Sequence, residues 1–214
     1  ANASGPIGSK AAVGFAIGHS RRDGFSINDI TGNDVDYRDA TFGKAQLLVT
    51  PGADWETRFI YTGERARDGD YTLNDLEAVR ANPFHVSRDF EGHTDRDVHA
   101  ATFLARHAGQ SLTFTSTTGF VRWKTFDETD LDYLPFPALT RTNDEKDSQF
   151  TQEFRVASGP AGAAKLGDRA SLKWQAGLFL FTQNYDQEAI NTYAPGLLSP
   201  FITIPVHQYS PIAA

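Results

Sequence analysis

Apolar and polar positions alternate with period two in seven stretches of the chain, as in strands whose two faces meet different surroundings. From Thr41 to Thr50 the odd positions are Gly43, Ala45, Leu47 and Val49, while Lys44 and Gln46 occupy even ones. Past the turn sequence Pro51-Gly52-Ala53-Asp54, Trp55, Thr57, Phe59 and Tyr61 share one side, and Glu56, Arg58, Thr62 and Glu64 the other. These two stretches predict a hairpin. Phe150, Phe154 and Val156 likewise stand opposite Gln149, Thr151, Glu153 and Arg155. From Leu172 to Phe181 the apolar face holds Leu172, Trp174, Ala176, Leu178 and Leu180, and the second face is mixed, with Lys173, Gln175, Gly177, Phe179 and Phe181. Val13, Phe15 and Ile17 alternate with Ala12, Gly14, Ala16 and Gly18. Leu112, Phe114 and Phe120 share a face that Ser116 and Thr118 dilute, with Arg122 and Lys124 near its end. The stretch from Asp97 to His107 fits a strand in either register, because both mix apolar residues with His99, Arg106 or His107.

The connections separate two architectures. Those at 5–10, 51–54 and 108–110 are short, that at 158–168 is moderate, and those at 21–40, 65–96 and 127–146 are long, in strict alternation. A meander with short turns at one end and long loops at the other is the layout of an up-and-down transmembrane barrel. Soluble sandwiches mix short and long connections at both ends. Trp55 and Trp174 fall near the short-turn end and Trp123, Phe126 and Tyr185 near the long-loop end, which predicts two interfacial girdles. Lys or Arg facing lipid at mid-bilayer costs about 2–4 kcal/mol. The four clearest strands carry no charge on their apolar faces, and Arg106, Arg122 and Lys124 lie near strand ends. The pattern favours the membrane barrel. A soluble or surface-attached β domain that binds glycans through its long loops stays open as the alternative.

Composition narrows the function classes. With 20 Lys plus Arg against 27 Asp plus Glu, the net charge of −7 and the lack of a basic run exclude a sequence-independent grip on nucleic acid. No Cys is present, which removes disulfides, thiolate nucleophiles and the usual zinc sites. No Met is present either, and the chain begins at Ala1, so it is read as a processed or excised piece. A mean hydropathy of −0.41 and the absence of any run near about 18 apolar residues exclude helical membrane spans but leave membrane strands open.

Particular residues carry a resemblance. Arg22-Asp23-Gly24-Phe25 with Asn28 and Thr31-Gly32-Asn33-Asp34, followed by Gly43-Lys44-Ala45-Gln46-Leu47-Leu48 and Pro51, resembles the early barrel strands of TonB-dependent outer-membrane receptors. Leu112-Thr113-Phe114-Thr115-Ser116-Thr117-Thr118-Gly119, Gln149-Phe150-Thr151-Gln152-Glu153-Phe154-Arg155, and Gly177-Leu178-Phe179-Leu180-Phe181 with Gln183-Asn184-Tyr185 are similar to later strands of the same receptors. The order of these motifs covers nearly the whole chain and is nearest the iron-siderophore, pesticin-receptor-like branch.

The resemblance implies an all-β fold: an antiparallel up-and-down transmembrane β-barrel of about 22 strands closed around a plug, with long extracellular loops. Residues 1–214 then supply a partial barrel of about eight strands from its first half. The plug and the TonB-contacting segment are absent, and Pro211-Ile212-Ala213-Ala214 lacks the terminal aromatic usual in such barrels. A complete small eight-strand barrel is the competing reading. The family's function would be energised uptake of a ferric siderophore or similar chelate across the outer membrane of a Gram-negative bacterium, with no cofactor. Its partners would be that ligand, outer-membrane lipid, and the TonB complex acting through the plug.

Candidate sites are confined to loops. Within 65–96, Thr72 and Asp75 form a capping pair for a short helix whose Leu73, Leu76 and Val79 share a face and which Asn82-Pro83 ends. Tyr71, Phe84 and His85 around it, and Tyr133 in the third long loop, are the candidates for contact with a ligand. Residues of this kind more often pack their own loop. The stretch Asp127-Glu128-Thr129-Asp130-Leu131-Asp132-Tyr133 has the oxygen donors that calcium uses, but a solvated acidic loop is the commoner meaning. Asp34, Asp36 and Asp39 lack the Gly and distal Glu of an EF-hand loop. The six His residues show no ligand spacing, so no metal site is assigned. Lys44, Glu56, Arg58, Glu153, Arg155 and Lys173 are expected to form salt-bridged ladders along the inner wall. No nucleophile elbow, phosphate loop or dinucleotide fingerprint occurs, and nothing points to catalysis.

Overall fold

The computed structural model describes residues 1–167, 169–194 and, for the backbone, 203–213; Asp168 and Ala214, the ends of two stretches considered above, lie outside them. Its elements are β1 (Asn2–Pro6), β2 (Ala11–Arg22), β3 (Ile27–Asn28), β4 (Arg38–Gly52), β5 (Trp55–Gly69), α1 (Leu76–Ala81), β6 (His85–Val86), β7 (His93–Ala108), β8 (Leu112–Asp130), β9 (Leu139–Ser158), β10 (Ala164–Lys165), β11 (Ser171–Leu172), β12 (Gln175–Tyr193) and β13 (Thr203–Ala213). One sheet takes nine of the strands in the order β1-β2-β4-β5-β7-β8-β9-β12-β13, so each neighbour is the next sheet strand along the chain. Every pairing in it is antiparallel. Among the described residues β1 and β13 do not pair, and the sheet is an open, partial barrel rather than a closed eight-strand one.

Register explains why the alternation runs so far. It aligns Val13, Leu47, Phe59, Phe103, Thr118, Gln152 and Leu180 in one row, and Phe15, Ala45, Tyr61, Ala101, Phe120, Phe150 and Thr182 in the next. The apolar faces of all seven strands therefore merge into one belt. Its polar members satisfy one another: Thr118 Oγ1 donates to Gln152 Oε1 at 2.6 Å, and Gln152 Nε2 donates to Ser116 Oγ at 3.0 Å. The ambiguous stretch within β7 resolves in the same frame, with Ala101, Phe103 and Ala105 in the belt and His99 and His107 at its two margins.

The packing is inverted relative to a water-soluble domain. Buried apolar residues are few and mostly small: Val35, Ala40, Ala66, Val86 and Ala189. The large ones stand outward, with Phe15 at 58%, Phe103 at 46% and Leu178 at 57% exposure. A continuous apolar surface of this extent needs a covering medium, and between the sheet's two end strands the antiparallel ladder pairs the main-chain groups beneath it.

Several expectations are corrected. The long connection at 127–146 shrinks to residues 131–138, because β8 runs to Asp130 and β9 starts at Leu139. Pairs such as Asp127↔Asn143 and Glu128↔Thr142 hold that ladder together with polar residues on both faces, so no hydrophobic alternation marks it. For the same reason β12 continues past Phe181 to Tyr193, whereas Leu172 and Trp174 precede it. Residues 2–6, read partly as a connection, form β1 against Ala12–Ala16.

The girdle is also revised. Trp123 and Tyr185 point to the face opposite the belt, where Trp123 Nε1 donates to Asp147 Oδ2 at 2.9 Å and Tyr185 OH to Glu145 Oε2 at 2.9 Å. Gln149 and Gln183 donate to the same Asp147 oxygen, at 2.8 and 3.1 Å. The expected charge ladders are pairs along single strands, Glu56–Arg58 at 3.1 Å and Glu153–Arg155 at 3.9 Å. Arg96–Glu64, at 2.5 Å, is the pair that crosses strands on this face. Lys173 lies outside the strands, between β11 and β12.

Candidate functional site

Residues 23–37 and 70–92, the two longest connections at the loop end, fold onto one another. The tie is β3 paired in parallel with β6, Ile27 to His85 and Asn28 to Val86. Asn28 is fully buried; its Nδ2 donates to Arg88 O at 2.9 Å and Glu91 Oε1 at 3.0 Å, and its Oδ1 accepts from Arg88 N at 3.1 Å. One short side chain thus joins loops about sixty residues apart in sequence, satisfying backbone groups that burial would otherwise leave costly. Val35 and Val86 give this junction its small apolar centre.

Arg88 is the pivot. It is 0% exposed, and its guanidinium donates to Asp70 Oδ2 at 3.4 Å and Leu73 O at 2.8 Å, with its plane 4.7 Å from the Tyr133 ring centre. Asp70, also buried, accepts from Thr129 Oγ1 at 2.7 Å and from Tyr71 N at 2.7 Å. Three loops and the end of β8 therefore converge on one buried ion pair. Gly92 lets the chain pass: a Cβ there would lie 1.8 Å from Glu128 O.

Asp36 closes the first loop, accepting at Oδ1 from Phe25 N at 2.7 Å and Ser26 N at 2.8 Å, with Arg22 on its own carbonyl. Burial disfavours its ionised form, yet the Ser26 and Phe25 N–H groups and Arg22 outweigh that and hold its carboxyl below the ordinary value. Its role is local closure, and neither Asp34 nor Asp39 joins it. In α1 the cap is Asp75 alone, which accepts from Glu77 N and Ala78 N, without Thr72. The helix buries nothing; Leu73, Leu76 and Val79 stay exposed.

The four residues singled out for ligand contact are not brought to one surface. Tyr71, 62% exposed, borders a depression of about 500 Å³ lined also by Tyr37, by Arg22, Arg38 and Arg96, and by Asp36, Asp68 and Asp70. Phe84, 65% exposed, points elsewhere from a backbone with φ of 68°. His85 is held by Asp29, Nδ1 to Oδ1 at 2.6 Å, and Tyr133 lies under Arg88. Missed in the sequence were the arginines of the depression, Arg22, Arg38 and Arg96. They are 74 residues apart end to end and become neighbours only because β4 and β7 flank β5; Asp36, Asp68 and Asp70 line the same hollow, Arg22 is paired with Asp36 and Arg96 with Glu64, so its charges are balanced.

A second group lies beside Arg88's neighbour Tyr133. Carboxylate oxygens of Asp89, Asp130 and Asp132 lie within 4.8 Å of one another. Asp130 is 0% exposed, unlike the solvated loop expected of this stretch. Its Oδ1 accepts from Asp132 N at 3.2 Å and Tyr133 N at 3.0 Å, while its buried Oδ2 has no partner. Burial, with the charges of Asp132 and Asp89 adding to it, pushes the Asp130 carboxyl up to about 6 against the opposing N–H bonds.

No family model matches the sequence. Among solved structures the chain superposes on the ferric yersiniabactin uptake receptor FyuA from Yersinia pestis with a TM-score of 0.68 at 22% identity, covering 91% of this chain and 29% of that one. The likeness is one of fold: the sheet has the form of part of that receptor's. The chain spans less than a third of the receptor's length.

Proposed function

We propose that residues 1–214 are a wall segment, from the first half of the barrel, of a TonB-dependent outer-membrane receptor that takes up a ferric siderophore or similar chelate without covalent chemistry. The observation that carries the reading is the belt: seven strands in register present one apolar surface outward and a polar, charged surface opposite it. An apolar band backed by a polar lumen is what lipid on one side and water on the other select. The shared fold with an uptake receptor supports it.

On this reading the loop end faces outside, in the outer membrane of a Gram-negative bacterium. The plug that closes the barrel and meets the TonB complex belongs to sequence other than these residues. The depression bordered by Tyr37, Tyr71 and Arg38 is the contact this reading gives a polar chelate, through the Arg38 guanidinium and the aromatic rings, since Arg22 and Arg96 are paired with Asp36 and Glu64. Phe84, His85 and Tyr133 are then structural or peripheral, and Tyr71 is the retained contact.

The test uses the protein at its full natural length. Leu178→Arg places a charge in the belt and is expected to abolish heat-modifiable assembly into outer membranes, at a cost of about 2–4 kcal/mol. Gln175→Arg, on the opposite face, is expected to assemble normally. Iron-limited cells carrying Arg38→Glu should assemble the protein yet lose at least about tenfold in chelate uptake. Equal tolerance of both arginine insertions would overturn the membrane seating; unaltered uptake of every ferric chelate tried would overturn the hollow's role.

A further inference from the structure

Three carboxylates share the space beside the third loop, contributed by two separate parts of the chain: Asp89 by the 70–92 connection, Asp130 and Asp132 by the end of β8 and the turn after it. Among the described residues none of the three forms an ion pair, although ion pairs are frequent elsewhere at this end of the sheet. Like charges at such spacing repel, and the repulsion grows as water is removed. The backbone nevertheless fixes them in place. Asp130 Oδ1 is oriented by two N–H groups, and Asp132 accepts from Leu134 N at 2.9 Å through Oδ1 and from Leu139 N through Oδ2. This leaves Asp130 Oδ2 buried and unpartnered, on a carboxylate that belongs to the group. A buried carboxylate oxygen with nothing to accept from is costly in a folded protein unless something positive occupies the space beside it.

We infer that Asp89, Asp130 and Asp132 form a binding site for a calcium ion that pins the 70–92 connection to the β8–β9 turn. The donor set is all oxygen, which suits a hard cation and not zinc or copper. Three carboxylates leave room for the further carbonyl and water oxygens that calcium gathers at irregular angles, whereas magnesium demands a near-ideal octahedron and gives up its water reluctantly. Loops rather than rigid strands supply two of the three ligands, and sites of that kind fall among the weaker, extracellular class, with dissociation constants of about 0.1–1 mM. The inference does not rest on the transport reading, since it concerns only the residues of the two loops.

The test is calcium titration of the full natural-length protein, extracted in detergent and stripped with chelator, read by calorimetry and by terbium luminescence as a calcium surrogate. The expected result is saturable binding that Asp130→Asn weakens at least about tenfold, while Asp144→Asn, an exposed residue paired with Lys146, leaves it unchanged. Asp130→Asn keeps an oxygen for the two turn N–H groups, and heat-modifiable migration reports whether it folds. If it does not, Asp89→Asn, in the opposite loop, gives the same reading without touching that turn. Magnesium is expected to compete at least about tenfold more weakly than calcium. Absence of saturation up to about 10 mM calcium, binding indifferent to both Asp130→Asn and Asp89→Asn, or magnesium binding as tightly as calcium would each overturn the site.

Discussion

Arg88 concentrates the energetics of the loop end in one side chain. A buried ion pair adds little net stability against a well-packed apolar substitute, but removing one partner strands the other. Arg88→Met leaves Asp70 buried without its cation, so the junction of the two long loops should lose about 3–5 kcal/mol. Amide exchange at Asn28 and Val86 should accelerate accordingly, while the sheet's own amides keep their protection. Asp36 predicts a different dependence. Its folded carboxyl titrates below the ordinary value near 3.8, so its contribution is complete above that pH and is lost as pH falls through the lower folded value. The protection of the Phe25 and Ser26 amides, taken against an unstructured amide at the same pH, should therefore stay constant from neutrality down to about pH 4 and fall only in stronger acid. A loss of protection already at pH 6 would mean that some other group closes that loop.

Among the elements, β8 and β9 show what a belt of strands tolerates. Gln152 sits among Leu180, Phe120 and Phe154 without penalty because Thr118 and Ser116 complete its bonds. Gln152→Leu should thus change unfolding free energy by no more than about 1 kcal/mol, the ceiling set by side-chain hydrogen bonds between membrane helices, which average under that. Leu47→Gln, flanked in the same row by Val13 and Phe59, has no such partner and should cost about 1–3 kcal/mol more, and urea unfolding from lipid measures the difference. The same two strands mark how far a sequence can be read. Alternation identified them where one face is apolar, at Leu112–Phe120 and Gln149–Val156, and failed from Glu128 to Asp144, where both faces are polar and only the backbone ladder records the strand. The helix was legible because a cap and an Asn-Pro stop are local signals. The Arg88–Asp70 pair and the depression lined by arginines and aspartates beside Tyr71 were not, because their members meet only through register and loop folding, for which a linear pattern has no term. Tyr71, Phe84 and His85 share a region of sequence, yet His85 is taken by Asp29 while Tyr71 borders the depression, for the same reason.

The whole molecule is an open sheet with an outward belt and two free edges. Residues 1–214 expressed alone should consequently associate in water: among the described residues β1 and β13 are the end strands of the sheet, and the belt has no cover. Size-exclusion chromatography should find aggregate, with monomer appearing only in detergent. A detergent-free monomer with a cooperative melt would instead favour a soluble, glycan-binding domain.

The strands also overshoot. Those of β8, β9 and β12 run 19, 20 and 19 residues, where about 9–11 suffice to cross an apolar layer about 25 Å tall. At about 3.3 Å per residue and a tilt near 40°, each stands about 50 Å high, which on the proposed seating leaves a collar about 20 Å above the lipid. A mouth raised on such a collar meets the medium beyond the head groups and their attached sugars. Solutes too bulky to approach the bilayer itself, a phage tail tip or an antibody arm as much as a chelate, can therefore reach it.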